Sequence, residues 1–154
     1  MSIKYRQDEY QTLLLKILSH RLAEAYAEFI HLLVRKEYWG YAKDEELKPA
    51  DILNRKYVGI RPAPGYSGCP DHRAKKKIFN LLNVQKEISI SLTENYAMTP
   101  PASICGYYLA NPQAKYFNVG KISKDQVEDY SKRRKEPINI TERWLEHILN
   151  YRKR

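Results

Sequence analysis

The chain has 154 residues, 43% of them hydrophobic, and 27 Lys+Arg against 18 Asp+Glu give a formal net charge of +9. That is enough chain for one domain with its own core, and no apolar run approaches the roughly 18 to 20 residues of a spanning helix or forms the core of a secretory signal near Met1. The basic surplus suits an acidic partner, protein or nucleic acid, and says nothing of fold.

Residues 12–38 predict one long helix. Leu15, Leu18, Leu22, Tyr26, Phe29 and Leu33 recur at spacings of three and four, a stripe expected to pack against something, and Gly40 offers a C-cap. The same helix carries a polar seam of His20, Glu24, Glu28, His31 and Arg35. Glu28-Phe-Ile-His31 has the Glu-x-x-His spacing of carboxylate-bridged metal bundles, but the chain holds no second copy. A polar face lining a groove, with Glu24 reaching a ligand, is the better reading, and no metal is expected.

A short helix is predicted over 49–56, a β-prone piece over 57–60, and a helix over 71–82. Alternation in Ile88-Ser-Ile-Ser-Leu92 predicts a half-buried strand. Further strands are expected over 104–109 and 116–119. Two closing helices start at Ser123-Lys-Asp-Gln126 and Asn139-Ile-Thr-Glu142, each matching a capping box. The order implies an α+β fold, an antiparallel β-sheet flanked by helices with a long N-terminal helix, as one domain over 1–154.

Residues 61–72, Arg-Pro-Ala-Pro-Gly-Tyr-Ser-Gly-Cys-Pro-Asp-His, hold three prolines and two glycines. Prolines remove N–H donors and fix φ, so this is a stiff irregular loop presenting Arg61, Tyr66 and His72, either as a structural turn or as a binding element. Cys69 lies near His72 without an orienting acid other than Asp71, so nucleophilic catalysis has little support. Cys69 and Cys105 lack CxxC or zinc spacing, and reduced thiols in a cytoplasmic protein are expected. Tyr116-Phe117 is either core filler or an aromatic face for a cationic ligand. No Rossmann fingerprint or P-loop occurs.

Several separated motifs then converge: Arg21-Leu-Ala-Glu-Ala-Tyr-Ala-Glu28, Val34-Arg-Lys-Glu-Tyr-Trp-Gly-Tyr41, Gly59-Ile-Arg-Pro-Ala-Pro-Gly-Tyr66 with Cys69-Pro-Asp-His72, Leu92-Thr-Glu-Asn-Tyr-Ala-Met98, Pro101-Ala-Ser103, Lys115-Tyr116, Asp125-Gln-Val-Glu-Asp-Tyr130 and Glu142-Arg-Trp-Leu145. In this order they resemble the C-terminal reactivation domain of cobalamin (vitamin B12)-dependent methionine synthase, which binds S-adenosylmethionine.

The resemblance implies that Arg61 holds the methionyl carboxylate, that Glu24 meets the α-amino group, and that backbone around Ala63 and Gly65 approaches the ligand. It implies that Tyr116 and Phe117 line the site, and that Tyr66 and His72 face a corrin carried by a partner domain or subunit. The implied role is a methyltransferase module without a catalytic acid, base or nucleophile of its own. It would serve the reductive methylation of cob(II)alamin to methylcobalamin, with flavodoxin or a similar acidic reductase as electron donor and no nucleic acid or membrane partner. Relative to that family the chain is N-terminally short, His20 stands where an acidic residue is common, and Phe117 stands for a second tyrosine. A docking-only domain that meets a cobalamin protein or flavodoxin without S-adenosylmethionine is the alternative, and a basic RNA-binding domain rests on charge alone.

Overall fold

The computed structural model describes residues 8–153. Helix α1 spans Glu9–Leu33, and the Asp8 side chain accepts from the Gln11 N–H at 3.0 Å to cap it. The coil continues through Val34–Tyr38 in a wider winding, with Trp39 N–H reaching the Val34 carbonyl five residues back at 3.0 Å. It ends where glycine is required: Gly40 has φ +70°, and its N–H closes on Val34 O at 3.1 Å.

Which face of α1 is buried differs from the expectation. Within the described residues the apolar stripe is open, with Leu22 70% and Tyr26 63% exposed and Leu18 and Phe29 also exposed. The buried residues of this coil are polar. His31 and Arg35 are fully enclosed, so the seam does not line a groove at its C-terminal end. Arg35 Nε donates to Glu45 Oε2 at 2.7 Å, and its guanidinium lies 4.5 Å from the Tyr57 ring centroid. His31 Nε2 lies 3.3 Å from the Tyr41 hydroxyl, between the rings of Tyr57 and Tyr108. The segment after Gly40 therefore folds back over the last turns of α1, and aromatic rings rather than aliphatic chains cover the charge.

Helix α2 is Pro49–Leu53, with proline at its first position and Asp51 accepting from the Lys48 N–H at 3.1 Å. Helix α3 is Ala74–Leu81 and helix α4 is Val84–Ile88. Ile88 thus closes a helix rather than opening a strand. Asn83 and Ser89, both left-handed, bracket that helix, and the alternation becomes a strand only from Ser91 onward. Strand β1, Ser91–Leu92, pairs antiparallel with β2, Met98–Thr99, in register Ser91 with Thr99 and Leu92 with Met98. The segment 104–109 is extended and forms one bridge, Leu109 to Ile60, and 116–119 forms no strand. The sheet is therefore a two-stranded antiparallel ribbon among helices.

Helix α5, Lys124–Arg134, starts as the capping box predicts, with Ser123 N–H donating to Gln126 Oε1 at 2.9 Å. Helix α6, Ile138–Trp144, starts two residues before the expected Asn139 cap, from Pro137. Asn139 therefore lies inside the helix rather than capping it, and Thr141 is buried with its hydroxyl donating to Glu136 Oε1 at 2.6 Å. Ile122, Val127, Leu145 and Leu149 form the hydrophobic core, with Tyr130, Ile138, Ile148 and Tyr151 packed around it.

Candidate ligand-binding site

The loop over 61–72 is braced at every stage. At its entry Ile60 and Leu109 exchange both backbone hydrogen bonds at 3.0 Å, and Tyr107 N–H reaches Pro62 O at 2.9 Å. Gly106 permits that approach, since a Cβ there would lie 2.8 Å from the Pro62 carbonyl oxygen. At the tip, Gly65 N–H donates to Cys69 O at 2.7 Å and Cys69 N–H to Tyr66 O at 2.9 Å. Gly65 has φ +97°, and any side chain on it would enter the His72 ring packed beneath. At the exit, Asp71 receives two nitrogens of Arg73 and the Tyr130 hydroxyl at 2.8 to 3.1 Å, and Arg73 also donates to Glu136 at 2.8 Å. The hydrogen bonds and charge of Arg73 hold the Asp71 carboxyl below its usual range despite burial.

Arg61 is not free. Its Nη1 donates to Ala27 O at 2.8 Å and its Nη2 to Glu28 Oε1 at 2.6 Å, while its backbone N–H donates to the Tyr116 hydroxyl at 2.8 Å. The side chain is 18% exposed. A guanidinium has five N–H groups, so these contacts leave Nε and the remaining terminal hydrogens without a protein acceptor among the described residues. Two residues on, the Ala63 N–H is also unpaired within the described residues, while Gly65 N–H is taken by Cys69. The unclaimed donors of Arg61, with an unclaimed amide two residues on in the chain, are of the kind that suits a carboxylate.

The other expected residues divide around this point. Glu24, one turn before Glu28 on α1, is exposed and pairs with Arg21 at 3.2 Å. Tyr116 stands against Arg61 through its hydroxyl, and burial, then the neighbouring Tyr116, push the ionisation of Tyr57 upward. The Arg55 guanidinium lies 5.1 Å from the Tyr116 ring centroid, so one cation already sits over that ring. Phe117 is exposed beside the tip of the loop, its carbonyl accepting from Ser67 Oγ at 3.5 Å and its ring beside Gly68. Tyr66 projects outward, 71% exposed, and contributes to the turn through its backbone. His72 supports Gly65 from below, and its Nδ1 lies 2.9 Å from Lys75 Nζ. Burial and that ammonium lower its pKa, so the imidazole is neutral with Nδ1 accepting.

Sequence reasoning missed the partners of Arg61. Glu28 belonged to the noted seam, yet nothing local to it pointed 33 residues ahead. The Ala27 carbonyl carries no sequence signal at all. Asp71-His-Arg73 did offer one, an acid and base two residues apart beside a proline, which suits a local ion pair. Cys69 and Cys105 are free, and burial raises both thiols.

The proline-braced loop with its half-used arginine against a long helix is the candidate site of this α+β domain. The chain belongs to the family described as vitamin B12 dependent methionine synthase, activation domain, whose model matches residues 1–135. Among solved structures it is similar to the MetH reactivation domain bound to AdoHcy, at 46% sequence identity with a TM-score of 0.92. That match covers 97% of this chain and 46% of the other, so the chain spans about half the length of that neighbour. Among the described residues no helix is long and apolar enough to cross a membrane.

Proposed function

We propose that this chain binds S-adenosylmethionine and serves as the methyl-donor side of cobalamin remethylation in a cobalamin-dependent methionine synthase. The observation that carries the reading is the state of Arg61: held by its tip and its backbone, yet with donors left over among the described residues. An amino-acid carboxylate fits that donor set, and Glu24 offers a carboxylate for the α-ammonium and sulfonium charges of the same ligand. The bound AdoHcy of the solved relative, which is that protein's ligand, is a close chemical kin of this donor and supports the same reading.

No residue of this site needs to act as acid, base or nucleophile. Its contribution is to bind and orient the donor, which lowers the entropic cost of bringing two reactants into line. Cobalamin, held by a partner domain or subunit, supplies the cobalt centre that accepts the electron and the methyl group. Tyr66, outward on a stiff loop, is the side chain presented to that partner, and His72 fixes the loop from behind. A surface of net charge +9 suits an acidic electron donor such as flavodoxin. In this reading the chain is a methyltransferase module that acts only with its partners.

Calorimetric titration with S-adenosylmethionine tests the proposal. Binding by the wild type that falls at least about tenfold in Arg61→Ala is expected, since a charge-assisted bidentate contact is lost. Absence of heat with the wild type, or equal affinity in the variant, would leave the domain as a docking surface only.

A further inference from the structure

We infer that Glu28 is the positioning residue of this site: it takes the end-on edge of the Arg61 guanidinium and thereby turns the Nε–Nη2 edge toward the ligand carboxylate. The inference rests on the reading of Arg61 as the carboxylate clamp and adds the residue that aims it.

A guanidinium has two edges suited to a carboxylate, one formed by the two terminal nitrogens and one by Nε with a terminal nitrogen. In Arg61 both terminal nitrogens point at consecutive residues of α1, Nη1 at Ala27 O (2.8 Å) and Nη2 at Glu28 Oε1 (2.6 Å). The helix therefore occupies the end-on edge. At the root of the same residue, the backbone N–H is fixed by Tyr116 at 2.8 Å. With root and tip both pinned, the rotamer freedom that an arginine ordinarily loses on binding is already removed, and the free edge has one direction.

Glu28 serves no competing purpose. Oε1 accepts from Arg61, and Oε2 is buried with no hydrogen-bond partner among the described residues. A carboxylate retained for the fold would have its second oxygen satisfied, as those of Asp71 and Glu136 are. One turn further on, His31 is neutral, because burial and the Arg35 and Arg61 charges bring its pKa to about 4, so it does not draw Glu28 away from Arg61. Ala27 alone cannot replace Glu28, since its carbonyl holds only Nη1 and leaves Nη2 without an acceptor on the helix.

Two measurements on the full chain decide the matter. The first is calorimetry of wild type, Glu28→Ala and Glu28→Gln with S-adenosylmethionine and with its decarboxylated analogue. Glu28→Ala should weaken the carboxylate-bearing ligand roughly tenfold and leave the analogue within about twofold, and Glu28→Gln, which keeps an acceptor in place, should recover most of the loss. Equal loss with both ligands would make Glu28 a residue of the fold, and unchanged or tighter binding would make it a competitor for Arg61; either overturns the inference. The second is the Arg61 Nε–H resonance in ligand-free protein, expected to be sharp in wild type and averaged in Glu28→Ala. An unaltered resonance overturns the inference whatever the affinities show. If wild type binds neither ligand, or Arg61→Ala binds as wild type does, the functional reading fails instead, and the resonance alone decides whether Glu28 seats Arg61.

Discussion

The two ends of the proline-rich loop each carry an arginine, and the two are used in opposite ways. Arg73, at the exit, donates from all three nitrogens: Nε and Nη2 to Asp71 at 2.8 to 3.1 Å, and Nη1 to both Glu136 oxygens at 2.8 and 2.9 Å. Its guanidinium also lies 5.6 Å from the Trp144 ring centroid, and its side chain is 5% exposed. Arg61, at the entry, has one edge on α1 and one edge unclaimed. A buried guanidinium with all three nitrogens on carboxylates holds the fold, whereas one with Nε unclaimed among the described residues is both placed and available. Charge and burial alone would have ranked Arg73 first as a functional residue; the count of unmet donors reverses that order.

The largest effect should come from breaking the saturated end. Asp71→Ala leaves Arg73 buried with Glu136 as its remaining carboxylate, and about 3–5 kcal/mol of stability should be lost in urea unfolding, the usual result of removing one partner from a buried pair. A loss below about 1 kcal/mol would mean that the network behaves like an exposed pair and that the contrast with Arg61 is only apparent.

The polar seam beneath the entry gives the next effect, read through pH. Burial, then the Arg35 and Arg61 charges, lower the His31 pKa from 6.5 to about 4. Between those values the unfolded chain binds more protons than the folded one. The stabilisation is therefore complete above about pH 6.5, declines as pH falls, and is gone below about pH 4, up to about 3 kcal/mol in all. His72, also lowered, adds in the same direction. His31→Asn should flatten the slope of unfolding free energy between pH 6.5 and 4.5, ahead of most carboxylate titration. An unchanged slope would assign that pH dependence elsewhere.

These elements also show what a one-dimensional reading can and cannot hold. Gly40, the Ser123 cap and the stiffness of 61–72 were legible because each is a local matter of φ, capping or missing N–H groups. The strand over 88–92 was misjudged because five alternating residues carry little weight against two left-handed turns, at Asn83 and Ser89, neither of which is a glycine. The Asn139 box failed because Pro137, with its fixed φ and no N–H, caps α6 two residues earlier. Arg61, Tyr116 and Glu24 were named from motifs, but whether a donor is used or free is a property of contacts 33 to 55 residues away, such as those to Glu28 and Tyr116. The apolar stripe of α1 has the expected spacing, but among the described residues it is largely exposed rather than packed.

Sharpening the comparison at the entry needs a substitution that keeps the charge. Arg61→Lys retains a cation but has one nitrogen where two edges are required, so it cannot hold Ala27 O, Glu28 and a ligand carboxylate in the same plane. Affinity for S-adenosylmethionine should fall roughly tenfold, with unfolding free energy changed by less than about 1 kcal/mol because the Arg61–Glu28 pair is partly solvated. Near-equal affinity would show that the ligand senses charge and not geometry.

The smallest effect on binding and stability belongs to Tyr66, and its value lies in being small. Its backbone makes the turn, with N–H to Ala63 O at 3.3 Å and its carbonyl receiving Cys69 N–H at 2.9 Å. Tyr66→Ala retains both bonds, so unfolding free energy should change by less than about 0.5 kcal/mol, and affinity for S-adenosylmethionine should stay within about twofold. Methyl transfer to a separately supplied cobalamin-bearing domain should nonetheless drop, because the removed ring is the loop's outward face. A large loss of ligand affinity would place the ring over the donor, and unimpaired transfer would leave Tyr66 without a part in meeting the partner. Because Arg61 and Tyr66 sit five residues apart on one rigid loop, opposite outcomes for the two variants would separate holding the donor from meeting the acceptor within a single structural element.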